Sequence, residues 1–288
     1  METSMGTIRQ KTVGKAATLS GIGLHAGDRA TLTVKPAAEG SGICFVRVDR
    51  PGRPQVRALA TNVVDVRRGT TIKSGDCMVF TVEHVMAALH AAGVDNALVE
   101  MDGPEPPIAD GSAQDYWALV MEAGVVEQSA PAEVFAPAAP LCVQMGATKL
   151  AIFPDDCLRV TCVIDFGATP LDAQYYSDKV TPELFGAELA PARTFVVYKD
   201  LEQLIGMGLV KGGSLDNAII IHDGAVISKE GLRYPNELAR HKALDVVGDI
   251  FLVGKRVVGH VVAYKPGHPA NVALAGKMIE QEMQAKGN

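Results

Sequence analysis

His241, Asp245 and Asp249 recur at intervals of four residues in a stretch that predicts one helix, from just after Pro235 to near Gly254. On a helix this spacing puts all three side chains on one face. Apolar residues occupy the remaining faces, so we expect the three polar groups to be buried, where unpaired imidazoles and carboxylates cost several kcal/mol. A divalent cation would remove that cost, because His and Asp at i and i+4 direct a nitrogen and an oxygen to one point, as zinc prefers.

A catalytic zinc needs a third protein ligand and one open position for water. Glu83 and His84 stand at the start of a second predicted helix, which begins near Thr81 and ends at Gly93. Neighbouring helix residues point about 100° apart, so His84 can bind the metal while Glu83 lies beside it. Zinc hydrolases use such a carboxylate as general base toward metal-bound water. The ordinary alternative for an isolated His-x-x-x-Asp is a hydrogen-bonded core pair, and the second helix favours the metal site over it.

The composition is that of a globular protein, with 48 % hydrophobic and 21 % charged residues among 288. A net charge of -6 argues against general affinity for nucleic acid or anionic membranes. The N-terminal stretch has no apolar core of the kind found in signal peptides, and no later run approaches a membrane span. The five cysteines contain no C-x-x-C pair, which disfavours a disulfide framework or a cysteine zinc site. We therefore expect a cytoplasmic protein without a stable membrane anchor.

Prolines among small residues between 127 and 140 are typical of a linker. We predict a first domain at 1–128, a linker at 129–140 and a second domain at 141–288. In each half a His-bearing helix is followed by a strand and a Gly/Pro turn, so two related halves would bring His84 and His241 together at their interface. The glycines at 21, 23 and 27 lack the dinucleotide-binding spacing, which argues against a Rossmann fold.

Short motifs in the same order along nearly the whole chain resemble the bacterial UDP-3-O-acyl-N-acetylglucosamine deacetylases, the zinc amidases that commit the lipid A pathway. The motifs are Gly21-Ile-Gly-Leu-His-Ala-Gly27, Thr81-Val-Glu-His84, Pro107-Ile-Ala-Asp-Gly-Ser112, Ala192-Arg-Thr-Phe195, Gly208-Leu-Val-Lys-Gly-Gly-Ser214, Arg240-His-Lys-Ala-Leu-Asp245 with Gly248-Asp249, and Ala263-Tyr-Lys-Pro-Gly-His268.

The resemblance implies an α+β fold of two related two-layer domains, with helices packed on mainly antiparallel sheets and the active site at the domain interface. It also implies a βαβ insert at 196–221 whose apolar residues form a passage for an acyl chain. One catalytic Zn²⁺ would be bound by His84, His241 and Asp245, the ligands that spacing also suggests.

The resemblance assigns further roles to single residues. Glu83 falls on the general base, and His268 on a protonated group that stabilises the oxyanion or gives a proton to the leaving amine. Asp249 would orient His268, and Thr194 would donate a hydrogen bond to the oxyanion.

The resemblance also implies substrate-binding positions. These are Lys242 and Lys265 near the sugar and diphosphate, Phe195 along the substrate path, and Asp165 and Phe166 around the uracil. His25, in its glycine-rich turn, is a further candidate.

Each of these residues also has an ordinary interpretation: the lysines as solvated surface groups, Phe166 as core, His268 and His25 as exposed loop residues. Many relatives carry a cysteine near the metal, close to Thr70, that this chain lacks.

The predicted function is zinc-dependent hydrolysis of the N-acetyl group of UDP-3-O-acyl-N-acetylglucosamine by a cytoplasmic monomer, releasing acetate. The alternatives are a catalytically silent nucleotide-sugar binder on the same scaffold and a zinc amidase for another acetylated sugar. Measuring acetate release by the wild type and by Glu83→Ala distinguishes the predicted enzyme from a silent binder. Competition with uridine nucleotides distinguishes it from an amidase for another sugar.

Overall fold

The computed structural model describes residues 8–165 and 173–287. Its strands are β1 (Arg9–Val13), β2 (Ala17–Ile22), β3 (Arg29–Pro36), β4 (Ile43–Arg47), β5 (Gln55–Arg57), β6 (Val63–Asp65), β7 (Thr71–Ser74), β8 (Cys77–Val79), β9 (Ala97–Met101), β10 (Val125–Pro131), β11 (Val134–Phe135), β12 (Leu141–Met145), β13 (Thr148–Phe153), β14 (Leu158–Asp165), β15 (Ala173–Lys179), β16 (Phe195–Val197), β17 (Ile219–His222), β18 (Ala225–Ile227), β19 (Arg256–Val257) and β20 (Gly259–Tyr264). The helices are α1 (Glu83–Ala91), α2 (Gln114–Ala123), α3 (Pro182–Leu184), α4 (Tyr198–Gly206), α5 (Glu237–Ile250) and α6 (His268–Gly287).

The two halves of the chain contain sheets of the same topology. The first sheet has the order β2-β3-β9-β4-β5 and the second β12-β13-β20-β14-β15. In each sheet the pair formed by the third and fourth strands is parallel, β4 with β9 and β14 with β20, and the other pairs are antiparallel. The predicted α+β class, with two related two-layer units of helices packed on mainly antiparallel sheets, is confirmed.

The helices α1 and α5 pack against each other where the two halves meet. Every residue of α1 is buried, and α5 also packs on β14, β15 and α6. The close approach depends on Gly248, because a side chain there would place its first carbon 2.1 Å from the carbonyl oxygen of Glu83. This packing brings the predicted ligands of the two halves to one place.

The segment predicted as a linker contains backbone pairing. The strand β10 reaches Pro131 and pairs with β1, and β11 pairs in parallel with β19 of the second half. The domain limits at 1–128, 129–140 and 141–288 remain a proposal.

Each half carries a small additional sheet beside the site. In the first half β6, β7 and β8 form an antiparallel sheet. In the second half β16 and β17 are parallel and joined through α4, with β18 antiparallel to β17, which is the predicted βαβ insert.

The long C-terminal helix α6 differs from the sequence-based expectation, which placed His268 on a loop. His268 is the first residue of α6, and Ala270, Leu274 and Met278 are buried at intervals of four along it. Thr81, just before α1, does not cap the helix; its hydroxyl donates to Glu105 Oε1 at 3.0 Å. Within the described ranges, no helix is both long and apolar enough to cross a bilayer.

Candidate active site

Three side chains converge where α1 meets α5. His84 comes from α1, and His241 and Asp245 come from α5; all are 2 to 3 % exposed. The Nε2 atoms of His84 and His241 lie 3.7 and 3.5 Å from Asp245 Oδ1. Tetrahedral zinc, with bonds of about 2.0–2.1 Å, separates its ligands by about 3.3–3.4 Å. The convergence therefore has the dimensions of a metal site.

These contacts are not ion pairs or hydrogen bonds. Burial lowers the pKa of His84 to about 3 and also lowers that of His241, so both imidazoles are neutral. His241 Nδ1–H donates to the carbonyl of Ala192 at 3.0 Å, which leaves the Nε2 lone pair facing the centre. Asp245 Oδ1 is buried and accepts no hydrogen bond from any described residue. Such a set of unprotonated N, N and O atoms fits a divalent cation and suits zinc.

Lys242 holds the second oxygen of Asp245. Its Nζ donates to Asp245 Oδ2 at 2.9 Å and lies 5.4 Å from the centre of the Phe195 ring. Burial alone would raise the pKa of Asp245, but the charge of Lys242 holds it well below its usual range. Asp245 is therefore ionised, with Oδ1 turned toward the two imidazoles.

Glu83 is a buried carboxylate beside this centre. Its Oε2 accepts a hydrogen bond from the backbone N–H of Thr70 at 2.9 Å. Burial raises the pKa of Glu83 to about 7, against the opposing effect of His268. A group with this pKa can both accept and return a proton near neutral pH.

His268 and Asp249 form a hydrogen-bonded pair near Glu83. His268 Nδ1–H donates to Asp249 Oδ2 at 2.9 Å, and His268 Nε2 lies 4.0 Å from Glu83 Oε1. Burial disfavours the imidazolium, but Asp249 and then Glu83 raise the pKa of His268 to about 9. A cationic His268 and the proton-accepting carboxylate of Glu83 therefore line the same cavity, 4.0 Å apart.

A cavity of about 240 Å³ contains most of the predicted catalytic groups. Glu83, His84, His241, Asp245, His268, Thr194, Phe195 and Lys242 line it, and Asp249 lies behind His268. Thr194 is held by its backbone, since its N–H donates to the Gly111 carbonyl and its carbonyl accepts from Ile219. A neighbouring cavity of about 270 Å³ shares Thr194 and Phe195 and is otherwise lined mainly by apolar side chains of α4 and the adjoining strands. The acyl passage predicted for this insert stays a prediction.

Three other predicted substrate residues, Lys265, Asp165 and His25, do not line the cavity that contains the ligands. Lys265 Nζ is 3.1 Å from Asp165 Oδ2, and the two form an ion pair at the ends of β20 and β14. His25 lines the apolar cavity and a larger one of about 700 Å³ next to it. Phe166 lies outside the described residues. The substrate roles of these residues stay predictions.

Sequence reasoning missed several buried polar residues that support the site. Thr70 contacts Glu83 and Asp249, and Asn271 donates to Asp249 Oδ2 at 2.9 Å. Arg193 forms a buried ion pair with Glu237 at 2.9 Å, which fixes the segment 192–194, just before β16, against the start of α5. No spacing rule points to these residues, since their partners are distant in sequence.

The chain is similar in sequence to a family of known proteins. Residues 10–280 match the family model described as UDP-3-O-acyl N-acetylglycosamine deacetylase. A UDP-3-O-acyl-N-acetylglucosamine deacetylase of Myxococcus xanthus is 44 % identical over 94 % of this chain and 86 % of its own length. Proteins of the same name from Citrifermentans bemidjiense (43 % identical, 95 % and 90 % covered) and Chlamydia felis (41 %, 94 % and 97 %) are also similar. The chain therefore belongs to the UDP-3-O-acyl N-acetylglycosamine deacetylase family.

Proposed function

We propose that the protein hydrolyses the N-acetyl group of UDP-3-O-acyl-N-acetylglucosamine, giving UDP-3-O-acyl-glucosamine and acetate, the committed step of lipid A biosynthesis. Membership of the deacetylase family supports this reaction and substrate. The single observation that carries the proposal is the convergence of three unprotonated ligand atoms from two helices beside the buried Glu83.

His84, His241 and Asp245 would hold one zinc ion. When bound, zinc supplies Lewis-acid activation of a water molecule and of the amide carbonyl. Three protein ligands are the number found in catalytic zinc sites, which keep one position open. Lys242 and the Ala192 carbonyl orient Asp245 and His241 for this role.

Glu83 takes the proton of the attacking water. Its pKa of about 7 lets it accept that proton and pass it on within one turnover near neutral pH. The backbone N–H of Thr70 fixes one carboxylate oxygen, so the other remains available on the side facing His268.

His268 acts as the cationic partner. With a pKa of about 9 it is protonated at neutral pH, so that its Nε2–H can stabilise the oxyanion or protonate the leaving amine. Asp249 holds the Nδ1 proton and thereby orients the ring. Thr194 would add a hydroxyl donor to the same oxyanion.

The substrate would be held by the basic and aromatic residues around the site. Lys242 and Lys265, each already paired with a carboxylate, would donate hydrogen bonds to the sugar and diphosphate. Phe195 lines the path toward the acyl passage, and Asp165, Phe166 and His25 complete the proposed contacts. We also propose a cytoplasmic monomer, which cell fractionation and light scattering would test.

Acetate release tests the function directly. The purified protein should contain about one zinc per chain and release acetate from the UDP-linked substrate. Chelation should abolish release and added zinc should restore it. Activity that persists after the metal is removed would contradict the proposed role of the metal. Equal activity on acetylated sugars without UDP would contradict the proposed UDP-linked substrate.

A further inference from the structure

Thr70 lies between the two carboxylates of the site and contacts both. Its backbone N–H donates to Glu83 Oε2 at 2.9 Å, and its hydroxyl donates to Asp249 Oδ1 at 2.6 Å. The same hydroxyl oxygen is 3.4 Å from His268 Nδ1. The residue is fully buried. Glu83 belongs to the first half of the chain and Asp249 to the second, so Thr70 connects the two catalytic carboxylates across the interface.

We propose that Thr70 is a positioning residue that fixes the proposed acid, His268, relative to the proposed base, Glu83, through its hydroxyl bond to Asp249. This inference rests on the proposed function, because it assigns Thr70 a role in that reaction.

Three donors among the described residues hold the Asp249 carboxylate, and the Thr70 hydroxyl is one of them. Oδ1 accepts from Thr70, and Oδ2 accepts from His268 Nδ1 and from Asn271 Nδ2, each at 2.9 Å. Donors on both oxygens fix the plane of the carboxylate, which in turn fixes the ring of His268. Thr70 therefore helps to set the orientation of the His268 ring, whose Nε2 lies 4.0 Å from Glu83 Oε1.

The backbone around Thr70 is held firmly at the start of α1. Val82 N–H donates to the Thr70 carbonyl at 3.2 Å, while Thr70 N–H donates to the Glu83 side chain. The preceding residue, Gly69, passes so close that a side chain there would lie 3.2 Å from Glu83 Oε1. The hydroxyl of Thr70 is thus presented to Asp249 from a rigid base, which is what positioning requires.

Replacing the hydroxyl by a methyl group isolates its contribution. Thr70→Val keeps the shape of the side chain but leaves Asp249 Oδ1 buried without the hydrogen bond from the hydroxyl. We expect kcat to fall about 10- to 100-fold, as for loss of a hydrogen bond to a charged group. KM should stay within about twofold and the metal content should not change, since neither depends on the hydroxyl. Thr70→Ser, which restores the donor, should recover kcat to within a few fold of wild type.

Thr71 provides a matched control. It is the next residue, is 9 % exposed, and its side chain makes no hydrogen bond within the described part of the chain. Thr71→Val makes the same chemical change one position away and should leave kcat unchanged. Asn271→Leu removes a different donor from the same carboxylate, so its effect combined with Thr70→Val should be less than the product of the two single effects.

A spectroscopic measurement separates positioning from a general loss of structure. The Nδ1–H proton of His268, hydrogen-bonded to Asp249, should give a downfield resonance in the proton NMR spectrum of wild type and Thr70→Ser. It should shift or broaden in Thr70→Val and remain in Thr71→Val. Thermal unfolding identifies any variant that fails to fold, and Thr70→Ala, which removes the hydroxyl without any possible clash, then replaces Thr70→Val.

The inference is wrong if the folded Val or Ala variant retains the wild-type kcat, or if Thr70→Ser is as impaired as Thr70→Val. A wild type that releases no acetate would instead refute the proposed function. An active wild type with unimpaired Thr70 variants would refute the positioning role alone.

Discussion

Glu83 and Asp245 are both buried carboxylates, but only Asp245 has an oxygen among the converging ligand atoms. We therefore expect Asp245→Ala to lose bound metal and activity together. Glu83→Ala should keep about one metal per chain, while kcat falls about 10²- to 10⁴-fold, the range for loss of a general base. Elemental analysis and acetate release on the two variants measure this. Equal metal loss in both would contradict the roles given to them.

The ligands could be predicted from sequence because periodicity within a helix is local. His241 and Asp245 are four residues apart, so their common face follows from helix geometry. The third ligand, His84, was predicted because a histidine beside a carboxylate starts a second helix, and because the family resemblance assigns it the same role. Thr70 could not be found in this way, since its partner Asp249 is 179 residues away and no local pattern links them.

At the scale of elements, the contact between α1 and α5 depends on a glycine. Gly248→Ala would put a methyl group 2.1 Å from the Glu83 carbonyl oxygen and push apart the helices that carry the ligands. Ala is favoured over Gly within a helix by about 1 kcal/mol, so any loss of stability must come from this clash. We expect a lower unfolding midpoint together with weaker zinc binding, measured by thermal unfolding and metal titration.

Gly276 in α6 is the matched control for this prediction. A methyl group there meets nothing within 4 Å, so Gly276→Ala should be neutral or slightly stabilising. If Gly248→Ala were equally neutral in stability and zinc binding, the close approach of α1 to α5 would not matter for the site.

His90 of α1 makes the same helix contact sensitive to acid. It is stacked on Phe251, and its Nδ1–H donates to the Val247 carbonyl at 2.9 Å. Burial lowers the pKa of His90 to about 4, whereas an unfolded histidine has a pKa of about 6.5. The unfolded chain therefore binds the proton first as the pH falls. The stabilisation by neutral His90 is complete above pH ~6.5 and is lost toward pH 4, about 3 kcal/mol in all.

His90→Gln keeps an N–H donor but removes the titration. Between pH 7.5 and pH 4.5, the free energy of unfolding of the wild type should fall by about 2–3 kcal/mol more than that of the variant. Urea unfolding at the two pH values measures the difference. Parallel losses in the two proteins would show that His90 is not responsible.

A helix or strand could be predicted where its sequence signal lies within one short stretch of the chain. The helix α5 and the βαβ insert were predicted because a capped periodic pattern and a family motif marked them. The helix α6 was missed because Gly267 and Pro269 look like a closing turn, although Pro is also common in the first turn of a helix. The four-residue spacing of Ala270, Leu274 and Met278 was the available signal.

At the scale of the whole molecule, the site exists because two halves of equal topology pack so that α1 and α5 meet. The weak internal repeat in the sequence was enough to predict an interfacial site. The repeat could not predict the other contacts between the two halves, because each of them joins single residues that are far apart in sequence. Arg256 is one of them: its guanidinium donates to both oxygens of Asp95, at 2.9 and 2.6 Å, and to the carbonyls of Arg9 and Gly93.

Arg256 thus ties the second half to the first away from the cavity that holds the ligands. Its side chain is 16 % exposed and that of Asp95 11 %, so Arg256→Met would leave a carboxylate largely buried without its cation. We expect a loss of about 2–3 kcal/mol in the free energy of unfolding with unchanged kcat and KM at temperatures where the variant is folded. Lys229→Met, which breaks the exposed pair with Asp216, should not change the unfolding midpoint measurably. If Arg256→Met instead lowered kcat while leaving stability intact, the pair would act on the site and not on the joining of the halves.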